Sequence, residues 1–153
     1  MLILSACGGS AGTKAQPSSW ETVTGPGFRF QAPKGWKVQA AAKRATATHG
    51  PDLVQVSAYP LVRAYSDALF AKVAPELRLR MNDLAQQTGG QVTGTRTVTA
   101  AGSKSHAYDV TSADHVDEYT FVLRGKREYL LLCRRAPKDD RAYCAQLVTS
   151  FAA

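Results

Sequence analysis

The residues best suited to acid–base or metal chemistry are grouped around one histidine. Asp114-His115-Val116-Asp117-Glu118 places three carboxylates beside an imidazole, and such groups transfer protons and bind divalent metals. If the segment begins a strand, however, Asp117 and Glu118 point to opposite faces. We therefore expect a solvated loop that leads into a strand, with a site as the alternative. His49 and His106 lack a partner pattern, and we expect polar roles at loops or strand ends.

A second residue with its own chemistry is Cys7. The segment Leu4-Ser5-Ala6-Cys7 resembles the bacterial lipobox, in which small residues precede the cut and the thiol carries diacylglycerol. Residues 1–6 are too short for a complete signal peptide, so we expect the exported precursor to start earlier. The interpretation is a lipoprotein anchored to the extracytoplasmic face of the cell membrane through at least two acyl chains. A chance cysteine in a cytosolic protein is the alternative.

The other two cysteines, Cys133 and Cys144, are eleven positions apart. An exported compartment permits disulfides, and we expect these two to be bonded. Two separate buried thiols are the alternative. Neither a further cysteine pair nor a nearby histidine completes four zinc ligands, so no metal or other cofactor is expected.

The net charge of +7 favours anionic surroundings. Basic residues are most closely spaced near the carboxyl terminus, where they form a basic cluster. We interpret this cluster as a solvated rim or as a contact for anionic lipid or polymer. Nucleic acid is not expected as a partner, because no recognition motif is present. The possible anion-binding residues are Arg124, Lys126, Arg127, Arg134 and Arg135, with Lys138 and Arg141 beside them.

The length of 153 residues suggests one domain. Residues 8–19 are rich in Gly, Ser, Ala and Pro and are typical of a flexible linker, so we expect the globular domain to occupy residues 20–153. Helical spacing of apolar residues predicts a helix from Asp67, capped by Ser66, with a kink or restart at Pro75. Gly89-Gly90 should end it, and residues 139–151 should form a second helix.

Alternation of apolar and polar residues predicts strands elsewhere. One starts at Phe28, one at Trp36 and one spans residues 53–59. Four more are expected at residues 91–100, 106–112, 116–124 and 127–134. Gly125-Lys126 resembles a tight hairpin turn, and its register pairs Phe121 with Leu130 and Tyr119 with Leu132.

That hairpin is apolar on both faces and needs cover on both. The long helix should cover the face of Phe121, and the terminal helix should cover the face that bears Cys133. The fold class is therefore α+β, with an antiparallel sheet of about six or seven strands between a long helix and a terminal helix. Trp20, Phe28, Phe30 and Trp36 could line a ligand groove, although core packing is favoured.

This order of elements, together with Phe28-Arg29-Phe30-Gln31-Ala32-Pro33-Lys34-Gly35-Trp36, resembles the PsbP-like family. The chain is similar in particular to small LpqN-type actinobacterial lipoproteins. The closing Tyr143-Cys144-Ala145-Gln146-Leu147-Val148-Thr149-Ser150-Phe151 also resembles the final helix of such proteins. The resemblance implies an α/β/α sandwich that binds or assembles rather than catalyses, and it transfers no catalytic residue.

Together these features predict a membrane-anchored, noncatalytic module for a cell-envelope protein or ligand. We find no Gly-x-Ser-x-Gly elbow, phosphate loop or dinucleotide fingerprint in the sequence. The alternatives are a small envelope hydrolase with an unrecognised site and a protein that binds anionic lipid or polymer.

Overall fold

The computed structural model describes residues 19–153, which form eight strands, a 3₁₀ turn and two α-helices. The predicted lipidation site Cys7 and most of the predicted linker lie outside this range. In chain order the elements are β1 (Trp20–Gly25), β2 (Phe28–Pro33), β3 (Lys37–Ala41), β4 (Arg44–His49), β5 (Asp52–Tyr65), the 3₁₀ turn (Asp67–Leu69), α1 (Phe70–Gln87), β6 (Gln91–Ala100), β7 (Ser103–Thr111), β8 (Val116–Arg135) and α2 (Ala142–Ser150).

The strands form two antiparallel sheets. The large one has the order β3-β4-β5-β8-β7-β6, and the small one pairs β1 with β2. The predicted α+β class and layered architecture are confirmed. The small sheet differs from the prediction, because the sequence pattern does not predict β1 and does not separate β2 from the main sheet. The strand β4 of the large sheet is also not predicted by that pattern.

The element β8 folds back on itself. Twenty extended residues would measure about 65 Å, yet Arg134 Nε in its second half lies 2.7 Å from Asp117 Oδ1 in its first. Gly125 has a φ of 53°, so the chain reverses there as predicted, and seven extended segments cross the large sheet. The register that pairs Phe121 with Leu130 also places Asp117 opposite Arg134.

Replacing Gly125 with Ala tests this turn. A side chain at positive φ costs about 1–2 kcal/mol, so we expect the free energy of unfolding to fall by that amount in urea titrations. Lys126→Ala is the matched control, because Lys126 does not have a positive φ. Equal stability of the two variants would contradict the turn assignment.

Two apolar clusters cover the two faces of the large sheet. On one face α1 packs through Leu77 and Met81 against Tyr108 and Phe121. On the other, α2 and the small sheet together bury Phe30 and a larger set of side chains. The second cluster includes Val23, Val54, Val56, Leu131, Cys133, Cys144 and Leu147.

The predicted disulfide lies in the second cluster. Cys133 and Cys144 are bonded, with their Cα atoms 5.4 Å apart and both side chains buried. The bond joins α2 to the second half of β8. The hairpin register and the helix phase inferred from sequence therefore agree with each other.

The helix boundaries differ in part from those predicted. The chain forms a 3₁₀ turn at Asp67–Leu69 before α1, and the Ser66 side chain makes no capping hydrogen bond. The helix also continues through Pro75 without a restart. Ala71, whose carbonyl loses its partner there, is exposed to solvent, which lowers the cost of the proline.

The helix ends are otherwise fixed by local bonds. Gly90 N–H donates to Ala85 O at 2.8 Å and Gly89 N–H to Gln86 O at 3.3 Å, the Schellman pattern that we expected glycines to close. The second helix is shorter than predicted and spans Ala142–Ser150. No helix within residues 19–153 is long and apolar enough to cross a membrane.

Candidate functional site

The two adjacent carboxylates of β8, Asp117 and Glu118, are both buried and point to opposite faces of the sheet. Glu118 lies on the face of α2, and Asp117 lies on the other face beside Tyr119. The sequence predicted this separation. It rules out joint action of the two carboxylates on one ligand.

Glu118 is surrounded by three arginines that come from different elements. Arg141, just before α2, donates to both carboxylate oxygens at 2.6 Å. Arg135 donates to Oε1 at 3.0 Å and Arg96 of β6 donates to Oε2 at 2.7 Å. Arg96 also contacts Asp109 Oδ1 at 2.6 Å. We call these five residues the Glu118 cluster.

The electrostatics of the Glu118 cluster favour the charged carboxylate. Burial alone would raise the pKa of Glu118, but hydrogen bonds from Arg141 and Arg135 and the charges of Arg141 and Arg96 outweigh it and lower that pKa. Three guanidinium groups face two carboxylates, so the cluster carries one excess positive charge. Because every carboxylate oxygen of Glu118 is already hydrogen-bonded, we interpret the cluster as a clamp between α2 and the sheet.

On the opposite face, Asp117 is held by Arg134. The guanidinium donates through Nε at 2.7 Å and Nη2 at 2.8 Å, a bidentate geometry that fixes the carboxylate. Tyr119 donates to the same side chain at 3.4 Å. Burial, and then the charge of Asp117, raise the pKa of Tyr119 to about 12. Tyr119 is therefore a neutral phenol at physiological pH.

His115 belongs to a closed turn between β7 and β8. Ser112 Oγ lies 3.0 Å and Asp114 Oδ1 2.7 Å from the same ring nitrogen, Nδ1. A serine–histidine–aspartate triad needs these partners on different ring nitrogens. The other nitrogen faces Asp117 Oδ2 at 3.6 Å, which exceeds hydrogen-bond length. The pKa of Asp114 is lowered mainly by its hydrogen bond with His115, and the electrostatic interaction with the same side chain adds to that effect.

The remaining histidines also have structural contacts. His106 Nε2 lies 2.7 Å from Phe70 O, and the imidazole stacks on the Phe70 ring at 3.9 Å between centroids. His106 thereby fixes the start of α1 to β7. His49 stacks on Trp36 with centroids 6.1 Å apart. Within residues 19–153, no group of three or more potential ligands is arranged to hold a metal ion.

The four aromatic residues that could line a groove pack in or against the core, as favoured from the sequence, and Phe30 also borders the polar groove described below. Phe28 and Phe30 are buried in the cluster beneath α2, and Trp20 and Trp36 pack against its edge. Trp36 also contacts Tyr143 of α2 edge-on, with centroids 5.1 Å apart. These aromatics therefore join the small sheet to α2.

The predicted basic cluster is divided between the two ends of the β8 hairpin. Arg134 and Arg135 are engaged by Asp117 and Glu118. Arg124, Lys126 and Arg127 lie at the turn and are exposed. Arg124 donates to Ala153 O at 3.2 Å.

Sequence reasoning missed Arg96 and Asp109, which complete the Glu118 cluster. Their 13-residue separation gives no local signal, and only the pairing of β6 with β7 brings them together. It also missed a polar groove of about 280 Å³ between β2 and α2. The groove is lined by Thr22, Arg29, Phe30, Gln31, Gln146, Thr149 and Ser150.

Comparisons with known proteins identify the fold. The solution structure of cyanobacterial PsbP (CyanoP) from Synechocystis sp. PCC 6803 is similar at a TM-score of 0.65 and 13% identity, covering 98% of each chain. A crystal structure from Bacteroides thetaiotaomicron VPI-5482 is similar at a TM-score of 0.59 and 11% identity. The similarity covers 86% of this chain and 47% of that one. No family model and no curated protein matches the chain. The fold is therefore PsbP-like.

Proposed function

We propose that this chain is a noncatalytic binding or assembly module of the cell envelope, anchored through Cys7 to the extracytoplasmic face of the cell membrane. Within its PsbP-like fold it would be a counterpart of the small LpqN-type lipoproteins. Its partner would be an envelope protein or ligand, and no cofactor is required.

The observation that carries the noncatalytic role is how the reactive groups are used. Ser112 and Asp114 share one nitrogen of His115, and Glu118 is bonded on both oxygens. A general acid or base must instead reach a substrate proton. The side chains most suited to catalysis therefore close turns and join elements.

Binding through the sheet edges is consistent with this role. The strands β3 and β6 are the outer strands of the large sheet, and every residue of β3 is exposed. Outer strands offer unpaired backbone groups to a partner strand. The edges could therefore serve a protein partner without any cleft.

The noncatalytic role is tested by substituting the contact between Ser112 and His115. The variants Ser112→Ala and His115→Ala, expressed from the native locus, should complement a deletion strain and capture the same crosslinked membrane partners as wild type. Loss of complementation by both variants, at wild-type protein level and melting temperature, would instead indicate a hydrolase.

Lipidation is tested separately by metabolic labelling. The full precursor, grown with an alkynyl fatty acid, should label at Cys7 and partition with membranes, whereas Cys7→Ser should do neither. Cys133 and Cys144 are bonded to each other, so they should not accept label. Equal labelling of wild type and Cys7→Ser would refute the anchor.

A further inference from the structure

One end of the domain, which we call the hairpin end, is formed by several turns. The turn of β8 at Gly125 lies at this end of the domain. The β6–β7 turn lies at the same end, because His106 follows that turn closely and pairs with Phe121 on the way to Gly125. The β3–β4 turn is also nearby, since Lys43 O accepts from Ala58 N, and Ala58 pairs with Tyr129.

The hairpin end is strongly basic. Its exposed basic side chains include Arg29, Lys43, Arg44, Arg63, Lys104, Arg124, Lys126 and Arg127. Arg124 donates to Ala153 O at 3.2 Å, and none of the others forms an ion pair with a side-chain carboxylate in residues 19–153. In this region Asp67 is exposed, and the buried Glu128 is paired with Arg80 at 2.9 Å. The surface therefore presents a concentrated positive charge to solvent.

An apolar side chain projects from the same end. The pairing of β5 with β8 is interrupted between Pro60, opposite Arg127, and Tyr65, opposite Gly125. Residues 61–64 leave the ladder there, and Val62 is 99% exposed. Tyr59, on the same segment, is 40% exposed. Protein surfaces that lie on anionic membranes combine apolar side chains, which enter the headgroup layer, with basic side chains, which face the lipid phosphates.

The opposite end differs in charge pattern. It holds the Glu118 cluster, Asp117 with Arg134, and the turn around His115, and most of its arginines are neutralised by carboxylates. The excess positive charge of the chain is therefore concentrated at the hairpin end. This segregation favours one orientation toward an anionic surface.

We propose that the hairpin end docks onto an anionic lipid bilayer, with its basic side chains at the phosphate groups and Val62 in the headgroup layer. A bilayer accounts for both features, since a soluble polyanion would satisfy the charges and leave Val62 in water. The inference goes beyond the binding role proposed above and does not depend on acylation of Cys7.

The test uses the full chain with Cys7→Ser, so that no lipid anchor contributes. Its binding to phosphatidylcholine vesicles, with and without about one-third phosphatidylglycerol, is measured by flotation. We expect binding to the anionic vesicles alone. Each basic residue near such a surface strengthens binding about five-fold. The triple variant Arg63→Glu, Lys126→Glu, Arg127→Glu should therefore bind at least about 100-fold more weakly.

The matched control reverses three exposed basic residues elsewhere. Lys34→Glu, Lys37→Glu, Lys138→Glu changes the net charge equally and should bind within about three-fold of the parent, because distant charges are screened. Equal loss in the two triple variants would show that net charge alone drives binding and would overturn the proposal.

The apolar contact has its own pair of variants. Val62→Asp should weaken vesicle binding about ten-fold or more, as loss of one buried aliphatic side chain implies. Leu79→Asp, at the 65% exposed Leu79 of α1, should not weaken it. Unchanged binding of Val62→Asp, together with equal affinity for soluble dextran sulfate, would indicate a polyanion site and refute membrane docking.

Discussion

Replacing Glu118 with Gln is expected to lower the free energy of unfolding by about 3 kcal/mol. The side chain of Glu118 is only 6% exposed, and its charge is shared by Arg96, Arg135 and Arg141. Removing one partner of a buried ion pair leaves uncompensated charge and costs about 3–5 kcal/mol. We take the lower value because Arg141 is 49% exposed and solvent can rehydrate it.

Chemical denaturation monitored by tryptophan fluorescence measures this effect. For a domain of this size the melting temperature should fall by about 10 °C. Glu76→Gln, at an exposed position of α1, is the control and should lie within about 0.5 kcal/mol of wild type. If Glu118→Gln were as stable as that control, the Glu118 cluster would not clamp α2 to the sheet.

The same cluster predicts a pH dependence. The pKa of Glu118 in the folded protein lies below its ordinary value of 4.5. Its stabilising contribution is therefore fully present above pH 4.5 and is lost as the pH falls through the lowered pKa. On acidification below pH 4.5, wild type should lose stability toward that of Glu118→Gln, so the gap between the two should narrow. A constant gap would contradict the lowered pKa.

Removal of the disulfide is the second large change. Cys133 and Cys144 close a short loop, for which the chain-entropy model gives about 3 kcal/mol. The double variant Cys133→Ala, Cys144→Ala should be destabilised by at least that amount in urea, since both positions are buried. Cys7→Ser is included in both proteins so that no free thiol exchanges.

A reduction experiment provides the control for side-chain loss. Wild type with dithiothreitol keeps the cysteine atoms and should lose about 3 kcal/mol, whereas the double alanine variant should not respond to the reductant. If the reductant left wild-type stability unchanged, the bond would contribute nothing to the folded state.

The central hairpin shows what the sequence could predict well. Two apolar runs flank Gly125, which fixes a two-residue turn, so the register and the residues on each face follow from local rules. The disulfide prediction depended on that register. Agreement at Cys133 and Cys144 therefore reflects correct predictions of both the turn and the phase of α2.

The strands β1 and β4 show where the hydrophobic pattern is too weak to predict a strand. In β1 only Val23 is buried, and in β4 the buried residues are Ala45 and Ala47. Alanine and threonine alternate with too small a contrast in hydrophobicity to mark a strand. Both strands form because larger side chains of neighbouring elements cover them.

The Glu118 cluster and the hairpin end could not be predicted in this way. Arg96 reaches Glu118 only because β6 pairs with β7 and β7 with β8. Val62 leaves the sheet only because of an irregularity in the pairing of β5. Each of these features depends on long-range register, which one sequence does not reveal.

The pairing between the first and last segments of the domain determines how it would carry a mechanical load. A pull on the chain at Trp20 acts on β1 at its end farthest from the turn to β2, so the backbone hydrogen bonds of that pair would open one after another. The next resistance comes from the mutual bonds of Arg29 and Ala152, at 2.8 and 2.9 Å. Once these bonds open, the force passes along β2 to Pro33 and from there to β3, an outer strand of the large sheet. Tension from the amino terminus would thus open the small sheet before it reached the large sheet, and the bond between Cys133 and Cys144, which lies outside this path, would still hold α2 to β8.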